Sequence, residues 1–466
     1  MTRTILIILL ALSQINASGQ QSYTLSEAIN YALEHHESLQ ISRLDESMAN
    51  WQYKEAKSIG LPNIRGNVDY TFYFQRPVQP TEDFLSPAIF GILFQEGVIE
   101  PRELGPPETF EFAFVREHNL NFGITGEVLV FDGNFLKGLK AAKLFIELAG
   151  KQIRLTEQQI VQNVTRAYQG VLVAERNKNI IQNNIDNVND AIREAEVTYE
   201  NGFIEELDVD RLRLSLENLN IEMLKLNKLI DFSYNALKFQ MAHPLEENFI
   251  VTDELESAVE QLINDPQGYI SDIDPTKRPE HNILADAITL DYADLDRIKQ
   301  GYLPSVTASA GYGQLLQRDG LFSNNEAGFL GNGTIGLRAR IPIYDGGFTK
   351  SKVEQKKIDI EKKRIELAEF DRGMHLQVLN ARGNFETAQL SLDNAKKVLA
   401  LNEKVYEKAR IKYREGVGSS IEVTQAEASL YQSQAQYINA LYDLLTTKTE
   451  IDIATGDILS LIEKDQ

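Results

Sequence analysis

The chain contains no cysteine and, beyond its first dozen residues, no long apolar run. The absence of cysteine excludes disulfide bonds, thiolate metal sites and lipid attachment to a cysteine. Because a membrane-spanning helix needs about 20 apolar residues, no later segment is expected to cross a membrane as a helix. Positive charge is also scarce, since 47 lysines and arginines stand against 68 aspartates and glutamates, a net charge of −21. This balance argues against a nucleic-acid-binding protein, which would carry a basic patch.

Patterns that carry enzyme chemistry are absent from the sequence as well. The six histidines are scattered, and the adjacent pair His35 and His36 would point in different directions on a helix. No nucleophile elbow, P-loop, dinucleotide fingerprint or zinc-ligand spacing occurs. We therefore expect neither an enzyme nor a protein with a metal or another cofactor.

Residues 1–19 have the order of a secretory signal peptide. Arg3 is followed by an apolar stretch at residues 5–12 and by small residues at 17–19. The alternative, an uncleaved membrane anchor, is disfavoured because the apolar stretch is much shorter than a membrane span. The sequence thus predicts an exported chain.

The same motifs occur twice in the same order, about 214 residues apart. Each copy reads as a helix, an alternating strand, a loop, a second strand, a very long helix, a glycine-containing turn and a further helix. A repeat of this length predicts duplicated half-domains, because solenoid repeats span only tens of residues. The predicted division is a first repeat at residues 20–242, a polar, irregular linking segment at 243–279, and a second repeat with a C-terminal tail at 280–466.

Two hairpins are predicted, at residues 62–131 and 304–344, from apolar residues that alternate with polar ones. Their strands are about 11–14 residues long, which fits tilted membrane-spanning strands. A soluble hairpin is the alternative, although strands in soluble domains are usually nearer 5–6 residues. Four strands cannot close a barrel, and open sheet edges do not occur in lipid, so several chains would have to share one barrel. Charges in such strands must point into the lumen, where they either pair across strands or are solvated; they are Glu127, Arg338 and Arg340.

The helices are the longest elements predicted from the sequence. Thr24 and Glu27 form the sequence pattern of a capping box at the start of a helix that continues to about residue 59. Proline-free stretches of about 65 residues, 135–199 and 348–413, predict helices on the order of 100 Å long. Returning helices follow, and small residues favour side-by-side packing. A simple coiled-coil rod would explain the helices but would leave the strands unexplained.

One long segment of the first hairpin, residues 75–109, is rich in proline and unusually apolar for an exposed loop. We expect it either to fold over the mouth of the barrel or to pack on a neighbouring chain.

These motifs, duplicated in this order, resemble the TolC-like outer-membrane efflux proteins (outer membrane factors) over nearly all of the mature chain. The resemblance implies a mainly α fold with a membrane β-barrel portion. Three chains would contribute four strands each to one 12-stranded barrel, above an α-helical tunnel through the periplasm. The motifs that carry it are residues 24–28, 60–62 and 302–304, 131–133 and 344–346, and the turns Tyr199-x-x-Gly202 and Tyr413-x-x-Gly416.

The resemblance also implies a function and partners. The homotrimer would be a passive channel in the outer-membrane lipid of a Gram-negative cell, part of a tripartite efflux or type I secretion system. A periplasmic adaptor (membrane fusion) protein would couple it to an inner-membrane efflux pump or ABC transporter. The alternative is an exported coiled-coil scaffold or adhesin without channel activity.

Site residues follow from the resemblance position by position. Glu422, six residues after the second turn glycine, is a candidate for the periplasmic entrance, with Asp208 at the equivalent place in the first copy. Gln425 stands where family members often carry a second acid, so a double acidic ring is in doubt. The alternative is a solvated helix face, with glycines that only form turns. The adaptor-facing tip turns would contain Gly202, Phe203, Gly416, Val417, Gly418 and Ser419.

Overall fold

The structure, a computed structural model, describes residues 21–103, 105–106, 108–264, 273–320 and 328–463. The predicted signal peptide, residues 1–19, therefore lies outside the described residues. The chain divides into two compact units. The helical unit comprises the described residues of Met1–Trp51, Lys143–Tyr292 and Ile358–Gln466, and the sheet unit comprises those of Gln52–Ala142 and Ala293–Lys357.

Most of the described chain is helical. Two helices of 68 and 67 residues are each followed by a helix of 36 residues, as the proline-free stretches predict. None of the helices in the described ranges is both long and apolar enough to cross a membrane. The helices are α1 (Leu25–His35), α2 (Glu37–Ser58), α3 (Leu85–Gln95), α4 (Gly133–Glu200), α5 (Glu206–Met241), α6 (Leu255–Asn264), α7 (Pro279–Lys299), α8 (Phe348–Arg414), α9 (Ser420–Thr455) and α10 (Ser460–Glu463).

The strands form one larger sheet and two small pairings. The larger sheet is antiparallel with the order β2-β5-β7-β8, while β1 pairs with β6 in parallel and β3 pairs with β4 in an antiparallel ribbon. The strands are β1 (Gln21–Tyr23), β2 (Asn63–Phe72), β3 (Gln79–Glu82), β4 (Thr109–Phe112), β5 (His118–Phe131), β6 (Phe249–Val251), β7 (Ser305–Arg318) and β8 (Leu330–Arg340).

The first helix begins at the predicted capping box but ends earlier than the apolar pattern indicates. Thr24 accepts a hydrogen bond from the Glu27 backbone, and the Glu27 carboxylate accepts one from the Thr24 backbone. At His36 the backbone is extended, and its ring Nδ1 accepts a hydrogen bond from Ser38 N at 3.1 Å. His36 thus replaces a helical bond with a local cap, and two helices stand where one was predicted.

The long helices of the helical unit bury one residue every three or four positions. In α8 the buried side chains alternate steps of four and three, which is the heptad spacing of coiled-coil seams. The predicted side-by-side packing of small residues is seen there, because three of the seven seam residues are alanines. The seam residues of α8 are Met374, Val378, Ala381, Phe385, Ala388, Leu392 and Ala395.

Two segments predicted as irregular contain regular structure. The linking segment includes β6 and α6, and α6 buries Leu255 and Val259 in the core of the helical unit. The apolar segment 75–109 contains β3 and α3, a helix with no charged residue and no buried residue. Proline led to the prediction of irregular structure in both places. The helices α3 and α6 form there nevertheless, and β6 is formed by pairing with the distant strand β1.

Candidate functional sites at the helical tips and on the sheet

The first tip, between α4 and α5, reverses the chain through a glycine-dependent cap. Gly202 adopts the left-handed conformation with φ of +77°. Its N–H donates to the Tyr199 carbonyl at 2.8 Å, and Phe203 N donates to the Thr198 carbonyl at 3.1 Å. This pair of bonds is the Schellman motif, whose left-handed residue is usually glycine because a Cβ is strained there.

The second tip, between α8 and α9, has the same pattern. Gly416 has φ of +74°, its N–H donates to the Tyr413 carbonyl, and Val417 N donates to the Lys412 carbonyl, both at 3.0 Å. A Cβ on Gly418 would lie 3.0 Å from the Lys412 Cβ, so this position is also tight. The Tyr-x-x-Gly motifs of the sequence are therefore helix-ending signals.

Apolar side chains project from both tips. In this motif the residue after the glycine commonly packs back on the helix. Here Phe203 and Val417 hold that position and are 81% and 78% exposed. Ser419 then caps α9, because its hydroxyl accepts a hydrogen bond from Glu422 N at 3.3 Å.

Asp208 occupies the third position of α5 and is engaged inside the helical unit. Its carboxylate accepts a hydrogen bond from Glu205 N at 3.4 Å and pairs with Arg211 at 3.4 Å. The hydroxyl of Ser420, the first residue of α9, also donates to it. Asp208 therefore connects the two tips and is half-buried.

Glu422 occupies the equivalent third position of α9 but is exposed, as is Gln425 one turn later. The equivalence of Asp208 and Glu422 in the sequence is thus an equivalence of position in the helix. Their surroundings differ, since Asp208 is used in contacts and Glu422 presents its charge at the surface.

A buried carboxylate near the same tips was not predicted from the sequence. Glu427 is 3% exposed and lies between the buried residues Val423 and Leu430 of α9. The hydroxyls of Tyr431 and Ser215 donate to it at 2.5 and 3.2 Å. Its burial could have been predicted from its position in the apolar repeat of α9, because the apolar positions of a helix face the core.

The three charged strand residues lie on one face of the four-stranded sheet. Glu127 pairs with Ser309, Arg338 with Thr307, and directly paired residues share a face. The same face carries further polar residues, whereas the opposite face is apolar and exposed. That apolar face includes Ile64, Val68, Ile124, Ile335 and Leu337, which are 62–93% exposed.

Glu127 is not a cross-strand neighbour of Arg338 or Arg340. Glu127 lies on β5, Arg338 and Arg340 lie on β8, and β7 separates those strands. Arg340 pairs with Ser305, the first residue of β7. Within the described residues, no cluster of three or more histidine, aspartate or glutamate side chains is placed to hold a metal ion.

Comparisons with known proteins agree with one another. Residues 292–457 match the family described as "Outer membrane efflux protein". The probable efflux pump outer membrane protein TtgC of Pseudomonas putida KT2440 is 22% identical over 354 residues, 75% of this chain and 71% of that protein. The outer membrane protein TolC of Vibrio cholerae is 21% identical over 342 residues, 73% of this chain and 77% of that protein.

The fold is also that of solved outer-membrane proteins. The crystal structure of CusC, described in terms of folding and transmembrane channel formation, superposes with a TM-score of 0.70. The superposition covers 93% of this chain and 92% of that one at 15% identity. The predicted fold class and the predicted resemblance are both confirmed.

Proposed function

Because the chain resembles the TolC-like outer-membrane efflux proteins in sequence and in fold, we propose that it is one subunit of a trimeric outer-membrane channel. The channel is a passive exit duct for a tripartite efflux or type I secretion system. The observation that carries this proposal is the four-stranded sheet, which has an exposed apolar face, a polar face with charges and, among the described residues, two edges without a partner strand. Such a sheet is compatible with lipid only if other chains complete it.

In this proposal the apolar face contacts outer-membrane lipid and the polar face lines a lumen. Strands of a membrane barrel place charged residues in the lumen, since charge on the lipid face is destabilising. Glu127, Arg338 and Arg340 all lie on the polar face, which supports this orientation. The long helices would then form the wall of a periplasmic tunnel.

The two tips are the proposed contact with a periplasmic adaptor, which would couple the channel to an inner-membrane efflux pump or ABC transporter. In the Schellman motif the residue after the glycine commonly packs on its own helix, so an exposed apolar side chain at that position is free to contact a partner. Phe203 and Val417 supply one such side chain at each tip. Glu422 lies less than two turns away and is exposed, so three copies would place negative charge at the periplasmic entrance.

Single-channel conductance of detergent-purified protein in a planar bilayer tests this function, with the mass measured by light scattering. Each chain has a mass of 52.6 kDa, so a trimer of precursor chains would have about three times that mass. We expect pores that prefer cations. The Glu422→Gln variant should keep the conductance and lose most of that preference, because the negative charge of the entrance is removed.

A matched control is Glu386→Gln, which removes an exposed carboxylate from the middle of α8, far from the tip. It should leave the ion preference unchanged. A water-soluble monomer or dimer without pores would contradict the channel and would favour an exported coiled-coil scaffold. If the Glu422→Gln pores still prefer cations, the protein is a channel but Glu422 does not set the ion preference of its entrance.

A further inference from the structure

Glu427 lies on the buried face of α9, where most of the other side chains are apolar. It is 3% exposed and lies between Val423 and Leu430, which are 7% and 6% exposed. An ionised carboxylate in such a place loses its hydration, which is costly unless a cation compensates. None of the described cationic side chains forms a salt bridge with it, and Arg410, on α8, is instead paired with Glu194 at 3.4 Å.

Two hydroxyl groups are the hydrogen-bond donors to this carboxylate. Tyr431, one turn along α9, donates to Oε1, and Ser215 of α5 donates to Oε2. Burial raises the pKa of Glu427, and the hydrogen bonds from Tyr431 and Ser215 oppose this effect only in part. The residue therefore takes up a proton more readily than a carboxylate in water.

The surroundings of Glu427 join four helices. It lines a small cavity to which α4, α5, α8 and α9 all contribute. Charges on these helices affect its ionisation. Of the two arginines there, Arg410 is paired with Glu194 and Arg414 is exposed to solvent. The titratable and charged groups that line or adjoin the cavity are Glu194 of α4, Tyr406, Arg410, Tyr413 and Arg414 of α8, and Tyr431 of α9.

We propose that Glu427 is a proton-responsive residue that controls how tightly α9 packs against α5 near the tips. The protonated side chain stabilises the packed arrangement. The ionised side chain favours an arrangement in which the two helices separate and water reaches the carboxylate. This inference rests on the proposed function for its meaning, since the tips would form the periplasmic entrance.

The direction of the pH response follows from the raised pKa in the packed arrangement. A solvated glutamate has a pKa of about 4.3. Below about pH 4.3, Glu427 is protonated in both arrangements, and the packed arrangement keeps its full stability relative to the separated one. That stability is lost as the pH rises through the higher pKa of the buried group. Each unit of difference between the two pKa values changes the ratio of separated to packed chains about tenfold.

The distance between α5 and α9 can be measured directly with spin labels. The chain has no cysteine, so two introduced cysteines are the only labelling sites. Leu214 and Ala428 are exposed neighbours of Ser215 and Glu427, and both can be replaced by cysteine. Labelled chains are diluted into unlabelled chains, so that only distances within one chain are recorded. The measurement is repeated at several pH values between about pH 5 and pH 8.5.

We expect the longer distance to become more populated as the pH rises. The Glu427→Gln variant, which cannot ionise, should keep the short distance at every pH. The Ser215→Ala variant removes a donor that stabilises the ionised carboxylate in the packed arrangement, so the longer distance should be more populated at high pH. A merely structural role of Ser215 would change the populations equally at every pH.

Asp443→Asn is the matched control, since it removes an exposed carboxylate from the same helix and should retain the pH response. The proposal is overturned by a distance that does not change with pH, by a response that survives Glu427→Gln, or by one that Asp443→Asn abolishes. Because the labels report packing within one chain, the result does not depend on pore formation. If the protein forms no pores but keeps the pH response, the proposed channel is rejected and the role of Glu427 in helix packing is not.

Discussion

Two aspartates give the Phe-Asp-Gly and Tyr-Asp-Gly motifs a physical role. The Asp132 carboxylate accepts a hydrogen bond from Phe135 N at 3.0 Å, at the first turn of α4. Asp345 accepts bonds from Gly347 N and Thr349 N before and within α8. Hydrogen bonds from the hydroxyl and backbone of Thr349 hold the pKa of Asp345 below its usual value. Each aspartate thus satisfies backbone donors that a helix leaves unpaired.

Replacing Asp132 by alanine should destabilise the start of α4. The loss of an N-cap acceptor costs about 1 kcal/mol, whereas asparagine at the same position still accepts the bond. We expect Asp132→Ala to lower the midpoint of thermal unfolding in detergent and Asp132→Asn to lie near the unmodified protein. Equal midpoints for all three chains would show that Asp132 does not act as a cap.

The positions of the tip residues could be predicted from the sequence, but their contacts could not. The spacing from the turn glycine places Asp208 and Glu422 at equivalent points. One partner of Asp208, Ser420, is 212 residues away and belongs to the other hairpin. Such a contact depends on how four helices pack. The burial of Glu427 was not predicted, because glutamate is usually exposed even at a position where neighbouring residues of the helix face the core.

At the scale of the element, the turn glycines explain why both hairpins reverse so tightly. Gly202 and Gly416 have positive φ, where a side chain costs roughly 1–2 kcal/mol. By contrast, Gly383 lies within α8, and a Cβ there would meet no atom within 4 Å. A glycine inside a helix is less stable than alanine by roughly 0.5–1 kcal/mol.

Alanine at these glycines should therefore have opposite effects. We expect Gly416→Ala to lower the midpoint of thermal unfolding and Gly383→Ala to raise it, with limited proteolysis showing earlier cleavage at the tip of the first variant. The two substitutions add the same methyl group, so a general effect of alanine cannot produce opposite signs. If Gly416→Ala were as stable as the unmodified chain, the left-handed turn would not be required.

The periodicity of the sequence predicted the long elements better than the short ones. Alternation over many residues identified the four strands, and the absence of proline identified α4 and α8. The helix α3 was missed because its sequence, apolar on all sides and preceded by prolines, has neither a helical stripe nor a strand alternation. The break at His36 depends on one side-chain hydrogen bond, which periodicity does not contain.

At the scale of the whole molecule, the four-stranded sheet argues for assembly. In the part of the chain that the structure describes, β2 and β8 each pair along one side only. Arg65 and Thr334 lie in one row of the sheet through Thr125 and Gly311, so they are three strand spacings apart, about 14 Å. A disulfide needs Cα atoms within about 7 Å, so cysteines at these two positions cannot join within one chain.

This separation makes intermolecular closure measurable. With Arg65→Cys on β2, cysteines are placed singly along β8 and oxidised in detergent. In a barrel of three chains, β8 of one chain pairs with β2 of the next, and we expect covalent trimers from one or two polar-face positions among Asn332, Thr334, Gly336 and Arg338. Cysteines at Ile335 and Leu337 point to the other face and should not join, because side chains alternate along a strand. Monomers at every position, or equal yields on both faces, would refute closure through these two edges.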